Sequence, residues 1–310
     1  MTGLKSSLVF AKDVYYHLFF FAITIDWILR RATSVHGIRW LDNNLLSDLD
    51  FADDIAALSE NTNDLQSLVS NVSTTANMIG LTISSKKTKN MLVGSHPPPV
   101  DVKVEDKTIE VVDDFTYLGT SLTNEGSMDK EISCRIGKAS AAFNKLTKIW
   151  KSRKIPLSLK MKFYNSNVIS KLLYASETWH LKVNQDRKID AFDIRCLRKI
   201  LRIKWSDFLT NVEVRQKCKQ HRASNLICKR RLSWFGHVNR FPSSRIAKQS
   251  MQWVPRRKRK RGRPKMNWRQ TIERDLKSVG SGWYTASRLA ANRPKWNVFA
   301  ASCVSRHGSY

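Results

Sequence analysis

Two adjacent carboxylates, Asp53 and Asp54, lie in the stretch Leu49-Asp50-Phe51-Ala52-Asp53-Asp54-Ile55-Ala56, where strand-like apolar residues flank a tight turn. Like charges side by side repel, so such a pair calls for a cation or water between them. Hard oxygen ligands on a rigid turn suit Mg²⁺, which keeps several waters and takes one or two protein carboxylates. Two metals ~3.5–4 Å apart align an attacking and a leaving oxygen for phosphoryl transfer. In most proteins an Asp-Asp pair caps a helix or faces solvent, so the dipeptide acquires meaning only from its surroundings.

The elements that must position this turn are mixed. Residues 18–31 read as a helix that is apolar on most faces, hence buried. Ile38–Trp40 and Ser47–Ala57 read as short strands around the acidic turn. Leu65, Leu68, Val69, Val72, Ala76 and Ile79 recur at helical spacing, and Gly80 supplies a stop. Leu81–Ile83 and Asn90–Val93 are β-like, and three prolines, Pro97 to Pro99, break the chain. Val100, Val102 and Val104 alternate ahead of Thr108–Val112 and Phe115–Leu122, so a small antiparallel unit is expected. Residues 1–122 therefore read as α+β.

After residue 122 the pattern is almost wholly helical. Expected helices are Met128–Trp150, one beginning at Pro156 and bearing Phe163, Leu172 and Leu173, one through Ile189, Phe192, Cys196 and Ile200, and one through Ile227, Trp234 and Val238. A helical stretch over 123–241, a basic linker over 242–266 and a short helical tail over 267–310 follow. The tail divides into Asn267–Ser278 and Trp283–Asn292, with Ser302–Tyr310 frayed.

Charge separates the two halves more sharply than pattern does. Residues 1–144 hold 13 basic and 18 acidic side chains, whereas residues 145–310 hold 41 basic and 8 acidic, giving the whole chain a formal net charge of +28. Self-repulsion of that size opposes compaction unless a polyanion neutralises it, and nucleic acid is the abundant intracellular polyanion. Five scattered cysteines exclude a disulfide scaffold and favour a reducing compartment, nucleus or cytoplasm. No run of ~18 clean apolar residues argues for a membrane span, and no membrane partner is expected.

Arg256–Lys265 is the densest basic segment, with Arg256, Arg257, Lys258, Arg259, Lys260, Arg261, Arg263 and Lys265 making eight of ten residues. Its Lys260-Arg261-Gly262-Arg263-Pro264 resembles the core of an AT-hook, in which Gly allows close approach and Arg enters a narrow minor groove. A nuclear-localisation-type cluster or simple phosphate contact accounts for the same residues. Of the tryptophans that could stack on unpaired bases, Trp205, Trp234, Trp268, Trp283 and Trp296 fall at helical apolar spacing and are expected in the core, leaving Trp253. Lys145, Lys148, Lys151, Arg153 and Lys154 form a further basic run, either a duplex-tracking face or a solvated helix face. Cys218, His221, Cys228 and His237 are correct zinc ligand types, but no Cys pair two to four apart begins the set, so zinc is not expected.

In context, Phe51-Ala52-Asp53-Asp54 resembles the catalytic Tyr/Phe-Ala-Asp-Asp hairpin of reverse transcriptases. Leu18-Phe19-Phe20-Phe21-Ala22-Ile23 through Trp27-Ile28 resembles the end of the palm helix before that hairpin. Gly80-Leu81-Thr82-Ile83 with Lys87-Thr88-Lys89-Asn90-Met91 resembles the next palm motif, and Phe115-Thr116-Tyr117-Leu118-Gly119 the primer grip. The order is that of non-long-terminal-repeat retrotransposons, closest to the RTE-like branch. Arg231-Leu232-Ser233-Trp234-Phe235-Gly236-His237-Val238, the Arg-Gly-Arg-Pro segment and Trp268-Arg269 resemble the tail of those polyproteins.

The resemblance implies a partial polymerase palm over 1–122 and an all-α basic thumb and C-terminal region after it. It implies Asp53 and Asp54 as Mg²⁺ ligands, Lys87 and Lys89 on the nucleotide side, Phe115, Tyr117, Leu118 and Gly119 at the primer, and RNA and DNA as partners. The family also draws an Asp from an upstream strand; Asp13, Asp26, Asp42, Asp48 and Asp50 do not lie in that context. The expectation is thus a C-terminal fragment of a reverse transcriptase that is inactive alone, or a catalytically silent nucleic-acid-binding remnant. Oligomeric state is left open.

Overall fold

Apolar spacing and turn residues divide the chain into two units, 1–126 and 127–310. The computed structural model describes residues 19–32, 37–40, 44–94, 101–251, 253 and 266–306. The division lies just beyond the boundary expected at residue 122.

The first unit opens on helix α1, residues 19–32. Ile25, Ile28, Leu29 and Ala32 bury one face, while Phe19, Phe20, Ile23 and Trp27 are exposed on the other. The expectation of a helix buried all round is corrected: Asp26 stands on the exposed side, paired with Arg30 at 2.8 Å. Strands β1 (Ile38–Arg39) and β2 (Leu45–Leu46) pair antiparallel, as do β3 (Asp48–Phe51) and β4 (Asp54–Ala57). Helix α2 (Thr62–Asn77) starts where the Asn61 side chain accepts from the Asp64 N–H at 2.8 Å. It ends at Gly80, whose φ of +79° only glycine adopts without strain. Leu68, Val72 and Ala76 of α2 meet the buried face of α1.

The β-rich segment is not one antiparallel sheet. Strand β5 (Lys89–Asn90) pairs in parallel with β8 (Glu110–Val111), while β6 (Lys103–Val104) and β7 (Lys107–Thr108) form their own hairpin. Strands β9 (Asp114–Tyr117) and β10 (Thr120–Thr123) form another, and Leu81–Ile83 is not a strand. Alternation does place Val102, Val104 and Ile109 in a small buried cluster, as period-two patterning requires.

The second unit is helical. Helix α3 (Asp129–Lys145) breaks at Leu146 before the short α4 (Thr147–Lys151), splitting the single helix expected to Trp150. Helix α5 (Leu157–Tyr164) follows Pro156, which serves as its N-cap. It runs into a π-helical turn, Asn165–Ile169, and the short α6, Ser170–Leu172. Helices α7 (Val183–Leu201) and α8 (Asn211–Cys218) complete a core around Phe143, Tyr164, Leu172, Trp179, Ile189 and Leu197.

Helix α9 (Ala223–Asn239) links two cores, with Ala223 and Ile227 in the first and Leu232, Phe235 and Val238 in the second. The second core is closed by α10 (Ile246–Ser250), α11 (Trp268–Ser278), α12 (Trp283–Ala290) and α13 (Arg293–Arg306). Fraying from Ser302 is corrected: Cys303 and Val304 are buried by α13, whose Trp296 is fully enclosed. Among the described residues no helix is long and apolar enough to cross a membrane.

Candidate nucleic-acid interface

The acidic turn is a two-residue hairpin. Cross-strand register pairs Asp50 with Ile55 and Phe51 with Asp54, so Asp50 shares the face of Ile55 and Asp54 the opposite face. Ile55 and Ala57 pack toward the α1–α2 core, which leaves Asp54 on the solvent side beside Phe51, itself 64% exposed. Ala52, the first turn residue, has φ 56°, a left-handed conformation that costs an L-residue about 1–2 kcal/mol. Strain of this kind concentrates at functional turns.

The primer-grip-like hairpin turns through Leu118 and Gly119, at φ 47° and 77°. Two positive-φ residues match a type I′ turn, where Asn-Gly is the preferred pair, so Leu118 is again strained. Its Tyr117 reaches the acidic hairpin: the phenolic O–H donates to the Leu49 carbonyl at 3.1 Å, and the Asp54 carbonyl lies 3.4 Å away. Burial, then the nearby Asp54 and Asp50 charges, raise the Tyr117 pKa, which keeps the phenol a donor at neutral pH. Residues separated by more than sixty positions are thereby brought together. Phe115 is exposed on the same hairpin.

Lys89 is committed elsewhere: it forms an ion pair with Glu110, its partner across the β5–β8 pair. Lys87 is exposed in the turn before it. Neither forms a hydrogen bond or ion pair with the acidic hairpin among the described residues. Asp53 and Asp54 likewise have no described ion-pair partner, and among the described residues no three His, Cys, Asp or Glu side chains gather as a metal set. Two exposed carboxylates match the one or two that a Mg²⁺ ion takes from protein, and no third ligand gathers with them among the described residues.

In the second unit, Lys145, Lys148, Lys151, Arg153 and Lys154 are all exposed along the end of α3, α4 and the following loop. Arg256, Arg257, Lys258, Arg259, Lys260, Arg261, Arg263 and Lys265 lie outside the described residues. Trp234, Trp268 and Trp283 pack against the second core and Trp296 lies within it. Trp205 departs from expectation, being 89% exposed, and Trp253 is half-buried.

Cys218 packs in the first core and Cys228 in the second, which also holds Cys303, whose thiol donates to the Ala300 carbonyl at 2.9 Å. His237 lies against the rings of Trp234 and Phe241. The Trp234–Val238 motif has a packing explanation: a Cβ on Gly236 would stand 2.0 Å from Trp296 Nε1, which donates to the Leu232 carbonyl at 2.9 Å.

Residue spacing did not reveal the buried ion pairs. Arg215 meets Asp193 at 2.6 Å and Tyr164 donates to the same carboxylate at 2.7 Å, while Arg231 meets Asp275 at 2.7 Å. Burial pushes the Asp193 carboxyl up, with Arg215 and then Tyr164 opposing it. Their polar residue types sit at core positions of otherwise apolar helix stripes, which is the only signal the sequence carries.

The sequence matches no protein-family model. It is 25% identical over 268 residues to an uncharacterized transposon-derived protein of Caenorhabditis elegans, covering 81% of this chain and 94% of that protein.

Proposed function

We propose that the chain is a transposon-derived relative of reverse transcriptases of the non-long-terminal-repeat type, closest to the RTE-like branch, that binds nucleic acid and does not itself extend primers. The single observation that carries this reading is the Tyr117 hydrogen bond, which seats the primer-grip-like hairpin on the backbone of the Asp53–Asp54 hairpin. Similarity to a transposon-derived protein over most of both chains supports the same ancestry.

In this reading Tyr117 and Leu118 hold a strand end beside the acidic turn, and the second unit, by itself, contacts phosphates through its exposed Lys145–Lys154 run. Mg²⁺ bound at Asp53 and Asp54 would supply charge neutralisation for a transferring phosphoryl group. Among the described residues no third carboxylate gathers with this pair, and two alone supply too little of the electrostatic stabilisation on which such chemistry depends.

Purified chain, a labelled primer on RNA or DNA template, Mg²⁺ and nucleotides provide the test. No extension is expected; template-dependent extension abolished by Asp53→Ala would refute the silent reading while supporting the family. Binding is expected with log affinity falling steeply against log salt. Replacing Arg256, Arg257, Lys258, Arg259, Lys260 and Arg261 by Ala should lower both affinity and slope. If Arg261 and Arg263 act as a hook, A·T-rich duplex outcompetes G·C-rich duplex. Salt-independent binding, or none, would sink the nucleic-acid reading.

A further inference from the structure

A loop on the second unit places two aromatic rings in solvent, a few residues past a pocket lined by three cations, Ser152 and three apolar side chains. Trp205 and Phe208 are 89% and 80% exposed, with ring centroids 5.7 Å apart and planes tilted by 53°. Neither side chain gains core packing for its size. Phe208 moreover sits at φ 48°, a conformation that costs energy for an aromatic residue. Large, exposed, strained aromatics are unfavourable for the fold alone, which directs attention to a ligand with a flat face.

The pocket lies just before this loop in the chain. Its volume is about 260 Å³, and Ser152, Arg153, Lys160 and Arg202 are among its lining residues, with no acidic side chain in the lining. Lys160 is only 7% exposed, and its ammonium donates to the Trp150 and Ser152 carbonyls at 3.0 and 2.7 Å. An ammonium has three N–H donors, so one is uncommitted among the described residues. Burial and the neighbouring Arg202 charge both lower the Lys160 pKa, so cations are held here against their own repulsion. Arg202 is fixed by its left-handed backbone, φ 58°, at the end of α7. It precedes Trp205 by three residues, a reach of at most ~11 Å.

We propose that this is a single-stranded nucleic-acid contact: a backbone phosphate enters the Arg153–Lys160–Arg202 pocket while an adjoining unpaired base stacks on Trp205 or Phe208. A phosphate supplies the acceptor oxygens and negative charge that the cations lack, and every base offers a π-face irrespective of sequence. An acidic peptide would satisfy the pocket and leave the two rings unexplained. A duplex would reach the cations, but its bases are already stacked. The inference rests on the nucleic-acid part of the proposed function and is independent of its reverse-transcriptase ancestry.

Fluorescence anisotropy on the full chain tests it, with a labelled pyrimidine 20-mer as single strand and a labelled duplex of equal length, at fixed salt. Trp205→Ala combined with Phe208→Ala should weaken single-strand binding about tenfold and leave duplex binding within about twofold, while Trp205→Phe retains most affinity. Arg202→Gly suits the left-handed backbone and removes the side chain with its charge. It should reduce the salt slope for the single strand by about 0.7, the value for one phosphate. Unchanged single-strand binding in the double variant, or equal losses on single strand and duplex, would overturn the stacking site while nucleic-acid binding elsewhere stands. If the unaltered chain bound neither strand, this inference and the nucleic-acid part of the proposed function would fall together.

Discussion

Among the described residues, the first unit buries ten apolar residues in its cores and exposes fourteen large ones, whereas the second buries thirty-five and exposes nine. Its described residues form five separate two-stranded ladders and two helices in the first unit, of which α1 leaves Phe19, Phe20, Ile23 and Trp27 exposed. The second interlocks helices through one shared element, α9, and seals charged groups inside. Hydrophobic stabilisation grows with area removed from water, so stability of this molecule resides in the second unit. Backbone strain does not follow this division, since left-handed non-glycine residues include Ala52, Glu105 and Leu118 in the first unit and Ala175, Arg202, Phe208 and Lys219 in the second. The turns at Ala52 and Leu118 belong to the hairpins that Tyr117 joins, on the weaker unit. The unit with the stronger cores presents cations and two exposed rings, and the unit with the acidic turn relies on local hairpin geometry.

The contrast breaks most readily at the buried ion pairs. Removing the Asp275 carboxylate by Asp275→Ala leaves Arg231, 2% exposed, without its pair, and should cost about 3–5 kcal/mol in denaturant unfolding of the second unit. A loss below about 1 kcal/mol would mean that the site relaxes to admit water. Gly236→Ala should cost about 1–3 kcal/mol, since its methyl displaces Trp296, and near-UV circular dichroism should report the altered indole environment.

Alkaline pH should act on the second unit through its thiols. Burial pushes Cys196 from 9.0 up to about 12 and Cys218 up to about 11. As pH rises past about 9 the unfolded thiols lose protons that the folded ones keep, so stability falls from there until the folded thiols also titrate. Cys196 alone contributes a loss of about 1 kcal/mol by pH 10. Residues 1–126 contain no cysteine, so an alkaline loss of equal size in the first unit would contradict this assignment.

Smaller effects sharpen the first unit. Leu118→Asn should stabilise it by about 1 kcal/mol by fitting the left-handed turn, while weakening any primer-end contact that the leucine makes. Stabilisation with fully retained strand binding would show that Leu118 has no such contact. Phe20→Ser, on the exposed face of α1, should shift unfolding by no more than about 0.5 kcal/mol. A loss of several kcal/mol would reveal that this face is covered in solution.

Much of the local organisation was legible in the residues. The spacing of Leu68, Val72 and Ala76 specified α2, Gly80 its end, and Asn267 the start of α11, because caps and periodicity act over a few residues. The hairpin at Ala52–Asp53 was also readable, since strand-like runs flanked an obligatory reversal. Charge asymmetry, and with it the expectation of a polyanionic partner, is a property of composition and needs no fold.

Tertiary structure decided what depends on which surfaces meet. Trp205 and Trp296 sit in similar apolar contexts along the chain, yet one is 89% exposed and the other fully enclosed, because only Trp296 finds a partner that lacks a side chain, Gly236. The resemblance places Lys89 on the nucleotide side, and only the parallel pairing of β5 with β8 brought Glu110 across from it as an ion-pair partner. Asp193, Arg215 and Tyr164 are separated by up to fifty-one positions, so no local pattern could join them. Sequence sets each segment's intrinsic periodicity and charge through short-range sterics and capping. Pairing between distant segments is chosen by the packing of the whole unit, where the cost of an unpartnered buried group selects one arrangement.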